Sequence, residues 1–309
     1  MRNAFADEIT QIAKSDPSVV LLSGDIGNRL FDKYKESNPE RFVNCGVAEA
    51  NMVTMGSGLA MSGMKPVAYT IASFLIYRAF EQIRVDLSYH DAAVLLVGVG
   101  GGLSYASNGS THHTLEDIAL MRSLPNMQVI CAGDPLEVRA ATKAFFKDPK
   151  PTYLRIGKKG EAPVHEKKLD DFEVGKSICL KRGQSVALLA TGNMLPNCSS
   201  VTNELEERGI SSSLYSFHTV KPLDKECLEE IFAGHQYVIT VEEHGRLGGF
   251  GSAVAEWLAS QKQPGARLLT LGTPDQFLLY TGNQEEARKK CGLDKAGLLK
   301  QIKDFIGLV

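Results

Sequence analysis

Short runs of β-branched and other apolar residues alternate along this chain with longer stretches in which apolar positions recur at helical spacing. Through residues 1–157 the short runs are VVLLSGD (19–25), PVAYT (66–70), AAVLLVGV (92–99), MQVICAG (127–133) and TYLRIG (152–157). Helical spacing covers Ala48–Ser62, Ala72–Tyr89, Thr114–Arg122 and Pro135–Phe146. Uninterrupted apolar strands separated by helices predict a parallel sheet covered on both faces. Pro135 at a first helical position, behind Asp134 as N-cap, marks where the last of these helices begins.

The stretch KKGEAPVHEKKLDDFEVGK (158–176) is charged, carries Gly and Pro, and lacks apolar periodicity, which predicts a linker. The alternation then resumes. Strands are expected at SVALLATG (185–192), SSSLYSFHTV (211–220), YVITVEE (237–243) and RLLTLG (267–272). Helices are expected over Leu195–Glu207, from Leu223, over Ala253–Ser260 and from Gln284. The fold class is therefore α/β, as two doubly wound domains, 1–157 and 177–309, joined by the linker 158–176.

At 309 residues the chain buries a core large enough to need no cross-links. Apolar residues make up 43% and charged residues 23%, and the net charge is −2, so no global field draws nucleic acid or an anionic membrane. Six cysteines are scattered without a C-x-x-C pair or metal-type spacing, which reads as free thiols in a reducing compartment. The opening MRNAFADEITQIAKSDPS has no apolar core of the secretory type. The run Ala92–Val99 falls far short of the roughly 20 residues a membrane helix needs. A soluble, cytoplasmic protein is expected.

Two nucleotide signatures fail. Gly175-Lys176-Ser177 has Asp170 where a phosphate-binding loop needs its first glycine. Gly98-Val99-Gly100-Gly101-Gly102 follows a strand but has Leu103 where a dinucleotide fingerprint needs glycine. These glycines either let a ligand approach backbone at a strand's carboxyl end or form a plain flexible loop. More pointed is Glu49, which opens an apolar, Ala- and Met-rich helix after a strand end at Arg41–Val47. Buried there, it must be paired or protonated, a state suited to proton donation; complementing the helix dipole is the other reading.

VNCGVAEANMVTMGSGLA, then YTIASFLIYRAFEQIR, NGSTHHTLEDIALMRSLPNMQVI and PTYLRIG, resemble the pyrimidine-binding half of the transketolase family. EEHGRLGGFGSAVAEWL and GTPDQF…GLDKAGLLKQI resemble that family's C-terminal domain, so the resemblance spans essentially the whole chain. It implies a thiamine-diphosphate pyrimidine-binding domain followed by a transketolase C-terminal-like domain.

By this resemblance Glu49 is the glutamate that bonds N1′ of the cofactor's aminopyrimidine and promotes the imino tautomer that activates thiazolium C2. Ile71, Phe74 and Tyr77 match the side chains that clamp the aminopyrimidine, with Phe74 stacking on it; a core-facing helical stripe is the alternative. Asp25 matches an acid near the thiazolium, with capping as its other reading. His112 matches a histidine that faces substrate, and adjacent His113 is expected to point away. Arg155 matches an arginine that binds substrate phosphate, against a surface ion pair.

Asn108 stands where ordinary transketolases carry an aspartate that reads a sugar hydroxyl. Gly100 stands in place of a donor-contacting histidine, and Gly101 in place of an arginine of deoxyxylulose-phosphate synthases. The implied activity is two-carbon ketol transfer between sugar or sugar-phosphate substrates of a non-standard kind. The alternatives are a component of a deoxyxylulose-phosphate-synthase-like or oxoacid-dehydrogenase-like enzyme with an α-keto acid donor, and a non-catalytic regulatory subunit. The family grips diphosphate and Mg²⁺ through G-D-G…N, whereas here the nearest string, Ser23-Gly24-Asp25-Ile26-Gly27, breaks at Ile26. The expected partner is thus a separate N-terminal, diphosphate-binding transketolase subunit carrying the Mg²⁺ ligands, in an α₂β₂ assembly, with this chain inactive alone. By analogy the C-terminal domain builds interfaces.

Overall fold

The computed structural model describes residues 1–27, 29–262, 265–279 and 282–308. The first half runs α1 (Arg2–Ser15), β1 (Val19–Ser23), α2 (Asp32–Ser37), β2 (Phe42–Asn44), α3 (Glu49–Met61), β3 (Lys65–Ile71) and α4 (Ala72–Gln82), then β4 (Leu95–Val99), α5 (Asp117–Ser123), β5 (Gln128–Cys131), α6 (Pro135–Lys147) and β6 (Thr152–Ile156). The second half runs β7 (Ile178–Lys181), β8 (Val186–Ala190), α7 (Leu195–Glu207), β9 (Ser212–Ser216), β10 (Thr219–Lys221) and α8 (Lys225–Gly234), then β11 (Tyr237–Gly245), α9 (Phe250–Ala259), β12 (Arg267–Thr273), α10 (Gln284–Lys290) and α11 (Lys295–Ile306).

Among the described residues these strands form two sheets, ordered β10-β5-β6-β4-β3-β1-β2 and β12-β11-β8-β9-β7. All pairings are parallel except β10 with β5 and β7 with β9. The central strands are buried along their whole length, as continuous apolar runs require. One core layer lies under α1 and α6, where Tyr69 stacks on Phe5 at 5.6 Å and meets Phe31 edge-on at 4.9 Å. Asp134 caps α6 by accepting from Leu136 N (2.8 Å) and Glu137 N (2.9 Å).

Four expectations change. The expected strand 211–220 is two strands in different sheets. Phe217 N donates to Ala190 O, beyond which the second sheet ends, while His218 O accepts from Cys131 N in the first. The chain thus changes sheets across one peptide unit, and a strand of the second half completes the sheet of the first. The C-terminal helix divides into α10 and α11 around Gly292, whose φ of +68° ends α10. The helix expected over Ala72–Tyr89 breaks at Ala79 (φ −118°, ψ 17°) and continues as a π-helical turn, Ile83–Tyr89. The segment 158–176 has no regular structure, yet it is pinned. Val164 N, His165 N and His165 Nδ1 all meet Asp134 Oδ2 at 2.9–3.0 Å, and Phe172 stacks on His218 at 4.1 Å. Helix α1 and strand β7 are additions that the apolar pattern does not announce. Among the described residues no helix is long and apolar enough to cross a membrane.

Candidate active site

In the first sheet β2 lies on one side of β1 and β3 on the other, so the strand order reverses between β1 and β3. Connections diverge at such a point and leave a crevice at the carboxyl edge, where ligands of doubly wound sheets bind. Asp25 follows β1, Glu49 follows β2, Ile71 and Phe74 follow β3, and Gly100–Gly102 with His112 follow β4. The predicted residues, far apart in sequence, share one edge because each trails a parallel strand.

Glu49 opens α3 and is 3% exposed. Both its carboxylate oxygens accept from Arg78 Nη1 at 3.1 Å, and the Arg78 side chain is 46% exposed. The same guanidinium lies 4.2 Å from the centre of the Phe74 ring, a cation–π arrangement. His112 meets the Phe74 ring at 5.0 Å, and its Nδ1 lies 3.0 Å from Thr111 Oγ1. Burial, followed by the charges of His113 and Arg78, lowers the His112 pKa, favouring the neutral ring. Glu49, Arg78, Phe74 and His112 therefore form one continuous cluster.

Around it, Ile71 is half-buried at the end of β3, and Tyr77 is exposed and donates to Glu116. Desolvation of its phenol raises the Tyr77 pKa, so this hydroxyl remains a donor. Asp25 is exposed, accepts from Asn44 Nδ2 at 2.9 Å, and holds φ at +57°, a conformation unusual for aspartate. Asn108 is exposed on a short 3₁₀ turn, Ala106–Asn108. His113 is buried, with Nε2 3.3 Å from Ala106 O, so the two histidines do point apart.

Arg155 departs from expectation: it is neither a phosphate contact nor a surface pair. It is 3% exposed; Nε donates to the fully buried Asp117 (2.7 Å), and Nη2 donates to Thr114 O and Glu243 O (2.9 Å each). These bonds tie the first sheet's edge to β11 of the second. Nor do the glycines open space. A Cβ on Gly100 would overlap the Tyr105 ring, one on Gly101 would lie 2.7 Å from Arg155 Cγ, and one on Gly102 would overlap Glu243. Their small size admits the protein's own side chains.

The second sheet turns its carboxyl edge towards the first and is filled. Buried Glu243 accepts from Leu103 N (2.7 Å), Asn193 Nδ2 (2.9 Å), Gln284 Nε2 (2.9 Å) and Arg288 Nε. Glu242 accepts from Phe250 N (2.7 Å) and Gly251 N (2.8 Å), closing the N-terminus of α9. The EEHGRLGGFG string therefore serves the domain junction. Sequence reasoning passed over Arg78, Asp117 and Glu243. The signal for Arg78 was present, since it is the only charge in ASFLIYRAF.

A crevice of this form, with a buried carboxylate beside an aromatic face, defines a module that receives a flat nitrogen heterocycle. Two family models cover the chain: "Transketolase, pyrimidine binding domain" over residues 1–160 and "Transketolase, C-terminal domain" over 175–298. One of the two-chain components of an apulose-4-phosphate transketolase, from Phocaeicola vulgatus, is 33% identical over 99% of this chain and 97% of its own length. The 1-deoxy-D-xylulose-5-phosphate synthase of Pseudoalteromonas translucida is 32% identical over 98% of this chain but 48% of its own. A solved split-gene transketolase, described as an inactive β4 tetramer, superposes with a TM-score of 0.88 at 32% identity, over 99% of this chain and 98% of that one. The chain belongs to the transketolase family, whose members depend on thiamine diphosphate.

Proposed function

We propose that this chain is the C-terminal, pyrimidine-binding subunit of a split transketolase that moves a two-carbon ketol unit between sugar phosphates outside the common set. The Glu49–Arg78–Phe74–His112 cluster carries the reading. A flat cation already rests on the Phe74 face and donates to both oxygens of a buried carboxylate. A planar, hydrogen-bonding aminopyrimidine matches those two partners, so these residues fit the family's cofactor. When bound, thiamine diphosphate supplies the nucleophilic carbon for cleaving and forming bonds next to a carbonyl.

Phe74 would stack on the pyrimidine, with Ile71 and Tyr77 bordering it. Glu49 would hold and exchange a proton at the ring nitrogen it meets. Its burial keeps water from that bond. His112, kept largely neutral, can accept or return a proton at a substrate oxygen over the ring. Asn108 and Asp25 are expected at the rim, towards substrate and thiazolium respectively. Replacement of the usual sugar-reading aspartate by Asn108, together with the similarity to a relative named for apulose 4-phosphate, supports a non-standard substrate. We assign the diphosphate and Mg²⁺ ligands to a separate subunit, in an α₂β₂ assembly.

The test is affinity capture of the tagged chain from its own cells, followed by turnover assays on the recovered complex. A stoichiometric partner containing G-D-G…N is expected, with ketol transfer only when both chains and the cofactor are present. Turnover by this chain alone would overturn the assignment. Similarity to a deoxyxylulose-phosphate synthase keeps one second reading, an α-keto acid donor. Pyruvate-dependent turnover exceeding ketose-dependent turnover would select it.

A further inference from the structure

Arg78 occupies an unusual position. It is charged and half-exposed, and it bridges the buried carboxylate of Glu49 and the aromatic face of Phe74 beside it. The backbone breaks at the next residue, Ala79, and the helix then changes to π form. Such interruptions relax the side-chain register of a helix and concentrate at functional sites. The groups facing the guanidinium come from three elements: Glu49 on α3, Phe74 on its own helix, and His112 on the loop after β4.

We propose that Arg78 is a resident stand-in for the cofactor's aminopyrimidine, a positioning residue that holds Glu49 and Phe74 in place until the cofactor displaces it. The inference rests on the reading of this crevice as an aminopyrimidine seat. The physical case has two halves. A carboxylate as buried as Glu49 is costly without a partner, and the guanidinium supplies one while the seat is open. A planar guanidinium also covers an aromatic face in the manner of a heterocycle, keeping the Phe74 rotamer that stacking needs. Both contacts use the surfaces the pyrimidine requires, so the two occupants exclude each other. On displacement the side chain swings towards the solvent it already half meets, and no bond is made or broken. The seat is therefore preformed, at the expense of competition.

This predicts that removing the stand-in strengthens cofactor binding, the reverse of what removing a ligand residue does. The experiment titrates thiamine diphosphate, with Mg²⁺, into the cofactor-free complex of this chain with its partner, following calorimetric heat or intrinsic fluorescence. Arg78→Met should bind about tenfold tighter than wild type, and Arg78→Lys, which keeps the charge, should fall between. In a parallel melt of the free chain, Arg78→Met should lower Tm, and adding Glu49→Gln should restore most of the loss, because no buried charge is then left unpaired. An unchanged or weaker affinity in Arg78→Met would overturn the proposal, as would a Tm loss that Glu49→Gln does not relieve. If the wild-type complex itself fails to bind the cofactor, the aminopyrimidine reading falls instead, so the two failures are distinguishable.

Discussion

Arg155→Met separates two roles for one arginine. The structure makes Arg155 a buried tie between the halves of the molecule, and the substitution would leave Asp117, which is fully buried, without its cation. Tyr153 Oη would still donate to that carboxylate at 2.6 Å, but His244 stands 3.9 Å away. Breaking one side of a buried pair costs roughly 3–5 kcal/mol. The carbonyls of Thr114 and Glu243 also lose a donor, each worth about 1 kcal/mol. A total near 5 kcal/mol corresponds to a fall of about 10 °C in Tm for a chain of this size. Differential scanning calorimetry at neutral pH measures it. Arg139→Ala serves as the control, because its pairs with Asp7 and Glu8 are partly exposed and worth under about 1 kcal/mol. Adding Asp117→Asn to Arg155→Met should recover more than half of the loss. If Arg155→Met instead melts within about 2 °C of wild type and raises KM only for phosphorylated substrates, the structural role is refuted and the arginine reads phosphate after all.

Glu49→Gln should lower turnover of the assembled enzyme by about two orders of magnitude or more, with its association with the partner unchanged by size-exclusion chromatography. Gly100→Ala should destabilise by at least about 2 kcal/mol in a urea titration, because φ is +80° and the Tyr105 ring fills the space; Tyr105→Ala in the same chain should return part of it. The linker pin is pH-dependent. Burial raises the Glu137 carboxyl to about 7, and at His165 the hydrogen bond to Asp134 outweighs burial and raises the pKa. Groups whose folded pKa is raised contribute most at low pH, and that contribution fades as pH rises through neutrality. Glu137→Gln should therefore melt progressively higher relative to wild type as pH goes from 5 to 8, and a constant difference would refute it.

The parallel strands were legible because each is a continuous apolar run, and the seat of Glu49 and Phe74 because both trail such runs. Strand β10 was not, because TVK continues the pattern of β9 and only tertiary pairing shows the change of sheet. Arg155 was misassigned for a related reason. An arginine at a strand end reads the same whether it meets solvent or a buried aspartate 38 residues upstream. The glycine triplet pointed to open backbone, yet the bulk packed against it comes from Tyr105, Arg155 and Glu243, two of them distant in sequence. The stripe Phe5, Ile9, Ala13 marks α1 at helical spacing and was available to be read.

Strand β10 has a consequence for how the molecule can be divided. The linker is the obvious place to cut, being charged and without regular structure. A fragment severed there would lose the strand that covers β5 and would present that strand's hydrogen-bonding groups as an open edge, a template for association with other chains. The remaining piece would carry Thr219–Lys221 with nothing to pair against, and Asp134 would lose the linker residues that hold it. The two sheets are consequently one cooperative unit for denaturation and proteolysis, with a polypeptide seam that can be nicked but not parted.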